Sequence, residues 1–523
     1  MVGCPGGAGR SGDQVTARLS PADGMANAIR ITVIDAAGDL VVAADEVVPR
    51  PATRASRDLW RVGWRPTPMP VPASDGQVIV VSPVLPEQVA AGRWTPSLAP
   101  WTGEPADVVL LPPTGSESSA GAQEAAAWTL RELGILAGQS RWQSVRAVIV
   151  TGSARSVAEG DVSTIEHSGI TGLVRAAQGE QSGRFLLADF PAGADVSLAA
   201  DLIGSDEPEV AVRAGCVHIS HYVPLPPPSP RPPARELGQG TCLITGGTGG
   251  LGRLIVRHAV TSWGYRRLVL ASRRALAAAG IADLTTELRS LGSEVRVVGC
   301  DLGDPAAVRR LVAEIPDLEA VVHAAGGSAN GLVSDLSAGD LSAAWRAKAD
   351  GAWALHEAVA DRELAAYVLV SSAGGQVMAA GQGSYAAANT FLDGLAKARR
   401  SQGRVATAVA FGLWRTQTGL SSLLREQDWR RLEEGGFPPL APEHALALLD
   451  EAVASGAPTV TALRIDRAGL RTRVEVPALV RDLVPRPRQT TARTTSTTLS
   501  VGGPAVISST DGRLRQRLPA RAC

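Results

Sequence analysis

Four polar side chains in the second half of the chain have the types and spacing of a proton-transfer site. Ser372 closes a short apolar run, Tyr385 comes thirteen residues later, and Asn389 stands four residues beyond it. Residues four apart share one face of a helix, so Tyr385 and Asn389 are predicted to lie side by side. Lys348 precedes them on an earlier predicted helix. Singly, each has an ordinary structural explanation, but together they indicate a catalytic site.

This set suits the reduction of a carbonyl group. A hydride delivered to the carbonyl carbon leaves negative charge on the oxygen, which one group must protonate and another must hold. We assign the proton to Tyr385 and the hydrogen bond to Ser372. Moving a tyrosine pKa from near 10 toward 7 takes about 4 kcal/mol, which one ammonium about 4 Å away supplies at an effective dielectric of about 20. Lys348 is predicted to do this, while Asn389 holds the lysine or a water.

A glycine-rich run ahead of these residues predicts a dinucleotide site. The run TGGTGGLG at 245–252 follows an apolar strand and opens a helix, so its free N–H groups and the positive helix end face a crevice. The motif alone is weak evidence, because small residues also occur where a helix packs closely on a strand. The predicted cofactor contacts in this run are Thr245, Gly246, Gly247, Thr248, Gly250, Leu251 and Gly252.

The end of the following strand favours NADPH over NADH. Ser272, Arg273 and Arg274 stand where an enzyme using NAD offers an acidic side chain to the ribose hydroxyl. Guanidinium groups match phosphate geometry, so the two arginines favour a 2′-phosphate. The alternative is that Arg273 and Arg274 are solvated surface charges.

Two later strand ends complete the predicted cofactor site. Asp301, followed by Leu302, is expected beside the adenine amino group. Ala324, Ala325 and Gly326 are small enough to let the cofactor pass. His323, immediately before them, is assigned no chemical role.

Strands and helices alternate around these residues. Strands are predicted at Cys242–Thr245, Leu268–Ala271, Val295–Gly299, Ala320–His323, Tyr367–Val370 and Ala406–Phe411, with helix-length segments between them. Such alternation predicts a doubly wound, parallel α/β sheet of the Rossmann type, with ligands at the carboxyl ends of the strands.

The first half of the chain has the same alternation without a glycine loop. Apolar runs at Val78–Val81, Val108–Leu111, Val148–Val150 and Phe185–Leu187 predict parallel strands covered on both faces. The first of them runs into SPVLP at 82–86, where side chains and prolines occupy the place of a phosphate. The fold class is therefore α/β with two Rossmann-like lobes, of which the first is a structural lobe and only the second is complete for cofactor binding.

Four segments follow from these patterns. Residues 1–56 hold a linker and a β-hairpin, with alternating apolar residues on either side of DAAGD at 35–39. Residues 57–233 form the structural lobe and end in a Pro-rich stretch that is a stiff connector or, alternatively, a ligand for an SH3-type domain. Residues 234–475 form the catalytic lobe, and 476–523 are a flexible linker rich in Thr, Ser and Arg.

Composition excludes several classes of partner. With 51 basic and 51 acidic residues and no basic run, the chain gives no electrostatic reason to bind nucleic acid or an anionic membrane. No apolar run approaches the roughly 20 residues of a membrane span. The five cysteines lack metal-site spacing and indicate reduced thiols in a cytoplasmic protein without a metal.

Specific motifs resemble the ketoreductase domain of modular type I polyketide synthases, a branch of the short-chain dehydrogenases. The motifs are TGGTGGLG at 245–252, SRR at 272–274, CDL at 300–302, HAAG at 323–326, SSAGG at 371–375, GQGSYAAANTFLDGLAKARR at 381–400 and AVAFGLW at 408–414. That family exchanges the usual places of lysine and asparagine, as seen here in Lys348 and Asn389. The likeness extends over about residues 57–470, and the ITGLVRAAQ run at 170–178 resembles the family's structural subdomain.

The resemblance implies a function. The substrate would be a β-ketoacyl thioester on the phosphopantetheine arm of an acyl carrier protein, reduced with NADPH to the β-hydroxyacyl thioester among neighbouring synthase domains. Residues 25–50 resemble the end of a dehydratase domain, and 511–518 resemble the lead-in to a carrier domain.

Departures from the family's pattern bear on product configuration. Ser328, Ala329 and Asn330 stand where B-type ketoreductases carry Leu-Asp-Asp, Val377 where A-type enzymes carry tryptophan, and Gln382 where one A subtype carries histidine. The missing aspartates favour the A-type, L-hydroxy product.

Two other functions remain open at this point. One is a free-standing short-chain dehydrogenase acting on a diffusible ketone, which needs no second lobe. The other is a non-reducing or epimerising scaffold of the assembly line, against which the intact four polar residues argue.

Overall fold

The structure, a computed structural model, describes most of the chain from residue 58 to residue 484. The gaps in that range are 70–77, 87–92, 159–160, 162, 192, 195–197, 227–236, 328–329, 378, 417–428, 431–432, 472 and 474–475, and three earlier segments, 16–21, 29–34 and 40–47, are described as strands. The chain divides into two compact units, Met1–Arg57 and Asp58–Cys523. The four segment boundaries predicted from the sequence stay predictions.

The first unit contains a three-stranded antiparallel sheet. Its strands are β1 (Thr16–Pro21), β2 (Ile29–Ile34) and β3 (Leu40–Val47), in the order β1-β2-β3. The pairing of β2 with β3 is the predicted hairpin, whereas β1 was not predicted. The likeness of this segment to a dehydratase domain stays a prediction.

Fifteen strands of the second unit form one sheet. They are β4 (Leu59–Thr67), β5 (Val78–Val81), β6 (Trp94–Thr95), β7 (Asp107–Leu110), β8 (Ala147–Gly152), β9 (Phe185–Phe190), β10 (Glu209–Arg213), β11 (Cys216–Pro224), β12 (Thr241–Thr245), β13 (Arg267–Ser272), β14 (Glu294–Gly299), β15 (Leu318–His323), β16 (Ala366–Ser372), β17 (Thr407–Phe411) and β18 (Thr459–Ala462). The helices are α1 (Ser119–Gly138), α2 (Ser168–Glu180), α3 (Leu198–Asp201), α4 (Gly250–Thr261), α5 (Ile281–Ser290), α6 (Pro305–Ala313), α7 (Ala338–Trp345), α8 (Gly351–Ala358), α9 (Gly383–Ser401), α10 (Pro442–Ser455) and α11 (Arg467–Arg471).

The strand order confirms the α/β, Rossmann-like class. The catalytic lobe runs β14-β13-β12-β15-β16-β17-β18, with all neighbours parallel. The structural lobe runs β11-β10-β9-β8-β7-β5-β6. The strand β4, which the sequence did not predict, pairs antiparallel with both β18 and β11 and joins the two lobes into one sheet. We call β4 the seam strand, because it joins the sheets of the two lobes. Trp60 of β4 stabilises this junction, since its indole N–H donates to the Leu463 carbonyl at 2.8 Å.

One apolar core covers a face of both lobes. It includes Leu133 of α1 and Leu173 of α2 from the structural lobe, and Phe391 of α9 from the catalytic lobe, all fully buried. The helices α2 and α9 lie closely side by side, because a Cβ built on Gly172 would stand 2.3 Å from the Ala386 carbonyl group. Glycine is therefore required at this crossing, and the helix that carries Tyr385 rests on the structural lobe.

Three features of the described residues bear on the sequence predictions. Cys242 and Cys300 are buried free thiols, whereas Cys216 is disulfide-bonded, which the sequence did not predict. No helix in the described part of the chain is long and apolar enough to cross a membrane. No group of three metal-ligating side chains occurs among the described residues.

Candidate active site

The carboxyl end of β16 and the start of α9 bring Ser372 and Tyr385 together. Ser372 ends the strand, and its hydroxyl accepts a hydrogen bond from the Gly374 N–H at 3.0 Å. A Cβ built on Gly374 would lie 3.0 Å from Ser372 Oγ, 3.1 Å from Gln382 Oε1 and 3.7 Å from Tyr385 Cε1. These three side chains therefore surround one spot at the edge of the sheet where doubly wound folds bind ligands.

Lys348 reaches the same spot from a π-helical turn. The segment Arg346–Asp350 is π-helical and lies between α7 and α8, where the sequence predicted an ordinary helix. Such turns are frequent at functional sites because they redirect side chains. The ammonium of Lys348 lies 5.7 Å from the centre of the Tyr385 ring and donates to the Val370 carbonyl at 3.1 Å. It also lies against Gly326, whose Cβ, if present, would be 3.2 Å from Nζ.

The pKa values at this spot follow from burial. Burial lowers the pKa of Lys348 to about 8, against the opposing attraction of the Asp393 carboxylate. Burial also raises the pKa of Tyr385, although hydrogen bonds with the Ser372 and Asn389 side chains act in the opposite direction. This differs from the predicted lowering of the Tyr385 pKa by Lys348. A tyrosine with a raised pKa keeps its proton at neutral pH, as a proton donor must.

Asn389 lies on the Tyr385 face of α9, as its spacing predicts, and of the two partners expected for it the structure does not show the lysine. Its amide Nδ2 donates to the Tyr385 main-chain carbonyl at 2.7 Å, and not to a group on Lys348. Its Oδ1 is buried and accepts no hydrogen bond within the described part of the chain. An unpaired buried acceptor carries a desolvation cost, and a water or ligand atom is the usual partner.

Asp393 continues this face of α9 and was missed by the sequence analysis. It follows Asn389 by one helical turn, and Gln376 donates to its carboxylate at 3.4 Å. Burial raises its pKa, while a hydrogen bond with Ser371 and the charges of Lys397 and Arg175 lower it. The same four-residue spacing that pairs Tyr385 with Asn389 would have placed Asp393 beside them.

The glycine run forms a turn between β12 and α4. Gly246 has a φ of +72°, and a Cβ there would stand 2.6 Å from the Ala325 N–H. A Cβ on Gly252 would stand 2.1 Å from the Gly246 carbonyl oxygen. Side chains are therefore excluded from both positions, because the backbone of this turn packs closely on β15 and on the start of α4.

His323 connects the glycine turn to the lysine. Its ring is fully buried, with Nδ1 2.8 Å from Thr245 Oγ1 and Nε2 2.9 Å from the Lys348 carbonyl oxygen. Burial, together with the Lys348 charge, lowers the pKa of His323 to about 3, so the ring is neutral at physiological pH. The sequence analysis gave this residue no chemical role, and the structure shows one of position.

The predicted phosphate and adenine contacts follow the carboxyl ends of β13 and β14. Arg273 and Arg274 are both exposed. The Asp301 carboxylate accepts from the Gly303 N–H at 3.1 Å and from Arg346 at 2.8 Å. The Gly303 hydrogen bond and the Arg346 charge hold the pKa of Asp301 below its usual value, so it is a carboxylate. Arg346 is a charged neighbour that the sequence did not reveal.

The remaining predicted cofactor residues line the same strand ends. Ser272 Oγ accepts from the Ala275 N–H at 3.1 Å. Gly247, Thr248 and Leu302 are buried, Gly250, Leu251, Ala324 and Ala325 are partly buried, and Gly326 is exposed. Of the residues linked to product configuration, Ser328 and Ala329 lie outside the described residues, Asn330 is exposed and Val377 is partly buried.

The structural lobe supports the site at three points. Ser119 of α1 accepts from the Trp345 indole at 2.9 Å and donates to the Asp350 carboxylate at 2.5 Å, at either end of the π-helical turn. Arg175 of α2, buried in an ion pair with Glu209, donates to the Gly375 carbonyl at 3.1 Å. Glu180, the last residue of α2, accepts from two backbone N–H groups of the catalytic lobe.

Comparison with known proteins identifies the family of this chain. Residues 240–416 match the KR domain family, and residues 62–221 match the Rossmann fold domain described from the polyketide synthase extender module SpnB. A solved structure, PlmKR1, the ketoreductase from the first module of phoslactomycin biosynthesis in Streptomyces sp. HK803, is 30% identical, with a TM-score of 0.67 over 79% of this chain and 94% of that one. The chain belongs to the polyketide synthase ketoreductases.

Two further relatives place this ketoreductase in context. A solved A1-type ketoreductase is also 30% identical, with a TM-score of 0.70 over 82% of this chain and 99% of that one. Polyketide synthase GfsA of Streptomyces halstedii is 36% identical over 92% of this chain, which spans only 7% of that protein's length. The family is one of oxidoreductases that use a nicotinamide cofactor.

Proposed function

We propose that this ketoreductase uses NADPH to reduce a β-ketoacyl thioester, carried on an acyl carrier protein, to the β-hydroxyacyl thioester during polyketide chain extension. The observation that carries the proposal is the meeting of Ser372 and Tyr385 at the end of β16, with the Lys348 ammonium close to both the Tyr385 ring and Gly326. Neighbouring synthase domains and a cytoplasmic location belong to the same proposal.

The residues present fit a bound NADPH. The turn at Gly246 and Gly252 excludes side chains, and the N-terminal end of α4 favours an anionic pyrophosphate. The exposed guanidinium groups of Arg273 and Arg274 would hold a 2′-phosphate, and the Asp301 carboxylate would accept from the adenine amino group. When bound there, NADPH supplies a hydride.

The side chains of this chain then complete the reduction. Ser372 donates a hydrogen bond to the carbonyl oxygen of the substrate, and Tyr385 gives its proton to that oxygen as negative charge develops on it. Lys348, charged below pH about 8, stabilises the phenolate that this transfer leaves behind. Asn389, with its unpaired Oδ1, would hold a water near the tyrosine.

A spectrophotometric assay tests the proposal. The protein is mixed with NADPH and a β-ketoacyl N-acetylcysteamine thioester, and the loss of absorbance at the reduced nicotinamide band is recorded. Turnover with the thioester and not with a simple diffusible ketone supports the assignment, and no NADPH oxidation with any β-ketoacyl thioester contradicts it. Chiral analysis of the product tests the preference for the A-type, L-hydroxy configuration, which rests on the absent aspartates at 328–330.

A further inference from the structure

The carboxylate of Glu180 reaches from the structural lobe into the catalytic lobe. Oε1 accepts from the Gly381 N–H at 3.0 Å, and Oε2 accepts from the Val333 N–H at 2.9 Å. Each oxygen of one side chain thus holds a different backbone segment. Hydrogen bonds to an ionised acceptor are about twice as strong as those between neutral groups.

The two segments held by Glu180 lie next to each other beside the catalytic side chains. Gly331 N–H donates to the Gly381 carbonyl at 3.0 Å, and Gly331 forms a parallel β-bridge with Gln382. Gln382 caps the helix of Tyr385, and its Oε1 shares the space around Gly374 with Ser372 Oγ. A shift of either segment would therefore change the positions of the Ser372 and Tyr385 hydroxyl groups.

An exposed apolar side chain, Leu332, immediately precedes Val333, whose N–H donates to Glu180. Val333 is fully buried, whereas Leu332 is 50% exposed. The bond from Glu180 to the next residue fixes the backbone that presents this leucine.

The position of Glu180 has no explanation within its own helix. A carboxylate at the last residue of α2 faces the negative end of the helix dipole, where a cation is the favoured residue, and the last turn of α2 holds no basic side chain. The end of α2 packs closely on the catalytic lobe, because a Cβ on Gly179 would lie 3.0 Å from Ala380 Cβ. Glu180 is therefore a fixed point for the segments it holds.

We propose that Glu180 is a positioning residue of the ketoreductase, which sets the spacing of the Gly331–Val333 and Gly381–Gln382 segments and thereby determines which face of the ketone accepts the hydride while Ser372 and Tyr385 hold its oxygen. The inference rests on the proposed reduction of a β-ketoacyl thioester. It makes the structural lobe a determinant of product configuration as well as a support.

The test compares Glu180 variants with a second carboxylate of the same lobe. Glu132 is fully buried and accepts from the Leu98 N–H and the Ser97 hydroxyl, both at 2.8 Å, and these contacts stay within the structural lobe. The variants are Glu180→Ala, which removes both bonds, Glu180→Gln, which keeps one acceptor, and Glu132→Gln. The measurements are the ratio of hydroxy enantiomers from a 3-oxoacyl N-acetylcysteamine thioester, kcat, KM, the NADPH dissociation constant and Tm.

We expect Glu180→Ala to lower kcat/KM by about tenfold to about a hundredfold, since misplacement near 1 Å costs about that much, and to raise the share of the minor enantiomer. Glu180→Gln should fall between it and the parent, with NADPH binding unchanged in both. Glu132→Gln should lower Tm while keeping the parent ratio.

Four results separate the possible failures. Glu180 variants with the parent ratio and kcat/KM overturn the positioning role, and so does Glu132→Gln changing the ratio as much as they do. A Glu180→Ala protein that does not fold leaves Glu180→Gln to decide between these outcomes. A parent protein that does not oxidise NADPH with the thioester refutes the proposed function instead.

Discussion

The ammonium of Lys348 stands over the ring of Tyr385, with 5.7 Å between Nζ and the ring centre. Its one direct acceptor among the described residues is the Val370 carbonyl, which carries no full charge. Burial disfavours the charged form, so the pKa of Lys348 falls to about 8. The ammonium is therefore charged below pH about 8 and loses its proton above it.

This pKa predicts an alkaline limit on the rate. If the charged lysine stabilises the tyrosine phenolate, kcat/KM should decline as the pH rises through about 8. A profile of kcat/KM from pH 6 to 10 measures this, with the NADPH dissociation constant determined at each pH. The Lys348→Met variant should have a low kcat/KM at every pH and should not show this alkaline decline. A parent kcat/KM that stays constant to pH 10 would contradict the assignment.

Replacing the proton donor should separate chemistry from binding. Tyr385→Phe removes only the hydroxyl, so we expect a loss of about a hundredfold or more in kcat, with NADPH binding retained. Tyr367→Phe is the comparison, because Tyr367 lies on β16 and its buried hydroxyl donates to the Ala352 carbonyl of α8. That variant should lose about 1 kcal/mol of stability and keep its rate. A Tyr385→Phe protein with normal turnover would remove Tyr385 from the mechanism.

The cofactor preference should depend on two exposed arginines. The double variant Arg273→Ala, Arg274→Ala is expected to raise KM for NADPH by about tenfold or more and to leave KM for NADH nearly unchanged, because charged hydrogen bonds contribute about 1.5–3 kcal/mol. Arg309→Ala, at an exposed position on α6, is the control for the loss of surface charge. Equal effects on the two cofactors would show that the arginines do not contact a 2′-phosphate.

Because α2 and α9 lie so close together, adding one methyl group at Gly172 is expected to lower both the stability and the rate. A Cβ on Gly172 would meet Ala386 backbone atoms at 2.3 Å, so Gly172→Ala should separate the helices and cost about 1–3 kcal/mol. We expect a lower Tm and a lower kcat, since Ala386 follows Tyr385. Gly134→Ala on α1, where the added Cβ has ordinary contact at 3.4 Å, should not lower Tm, because alanine is favoured over glycine inside a helix. Calorimetry and the reduction assay measure the two effects.

The sequence predicted the parts of the fold that depend on local pattern. The predicted strands Val78–Val81 and Tyr367–Val370 agree with β5 and β16 to within two residues, because buried parallel strands are short apolar runs between turn residues. The strand β4 was missed. Its sequence, LWRVGWRPT, carries a proline, two arginines and no regular alternation, and it is a strand because both of its neighbours supply hydrogen bonds.

The sequence predicted which residues form the candidate site better than it predicted the contacts between them. Spacing along α9 placed Tyr385 and Asn389 correctly on one face, since helical periodicity is a local property. The π-helical turn under Lys348 and the reach of Glu180 across the lobes depend on tertiary packing, which a single sequence does not encode in its spacing. The balance of burial and charge that sets the pKa of Tyr385 is equally non-local.

The seam strand β4 bears on how the two lobes unfold. It belongs by sequence to the start of the structural lobe, yet it pairs with β18 near the end of the catalytic lobe as well as with β11. A cut in the backbone between β11 and β12 would therefore leave the halves joined by a hydrogen-bonded ribbon and by the α2–α9 contact. Such a nicked protein should unfold in a single thermal transition, because neither half can dissociate without exposing an unpaired edge strand in the other.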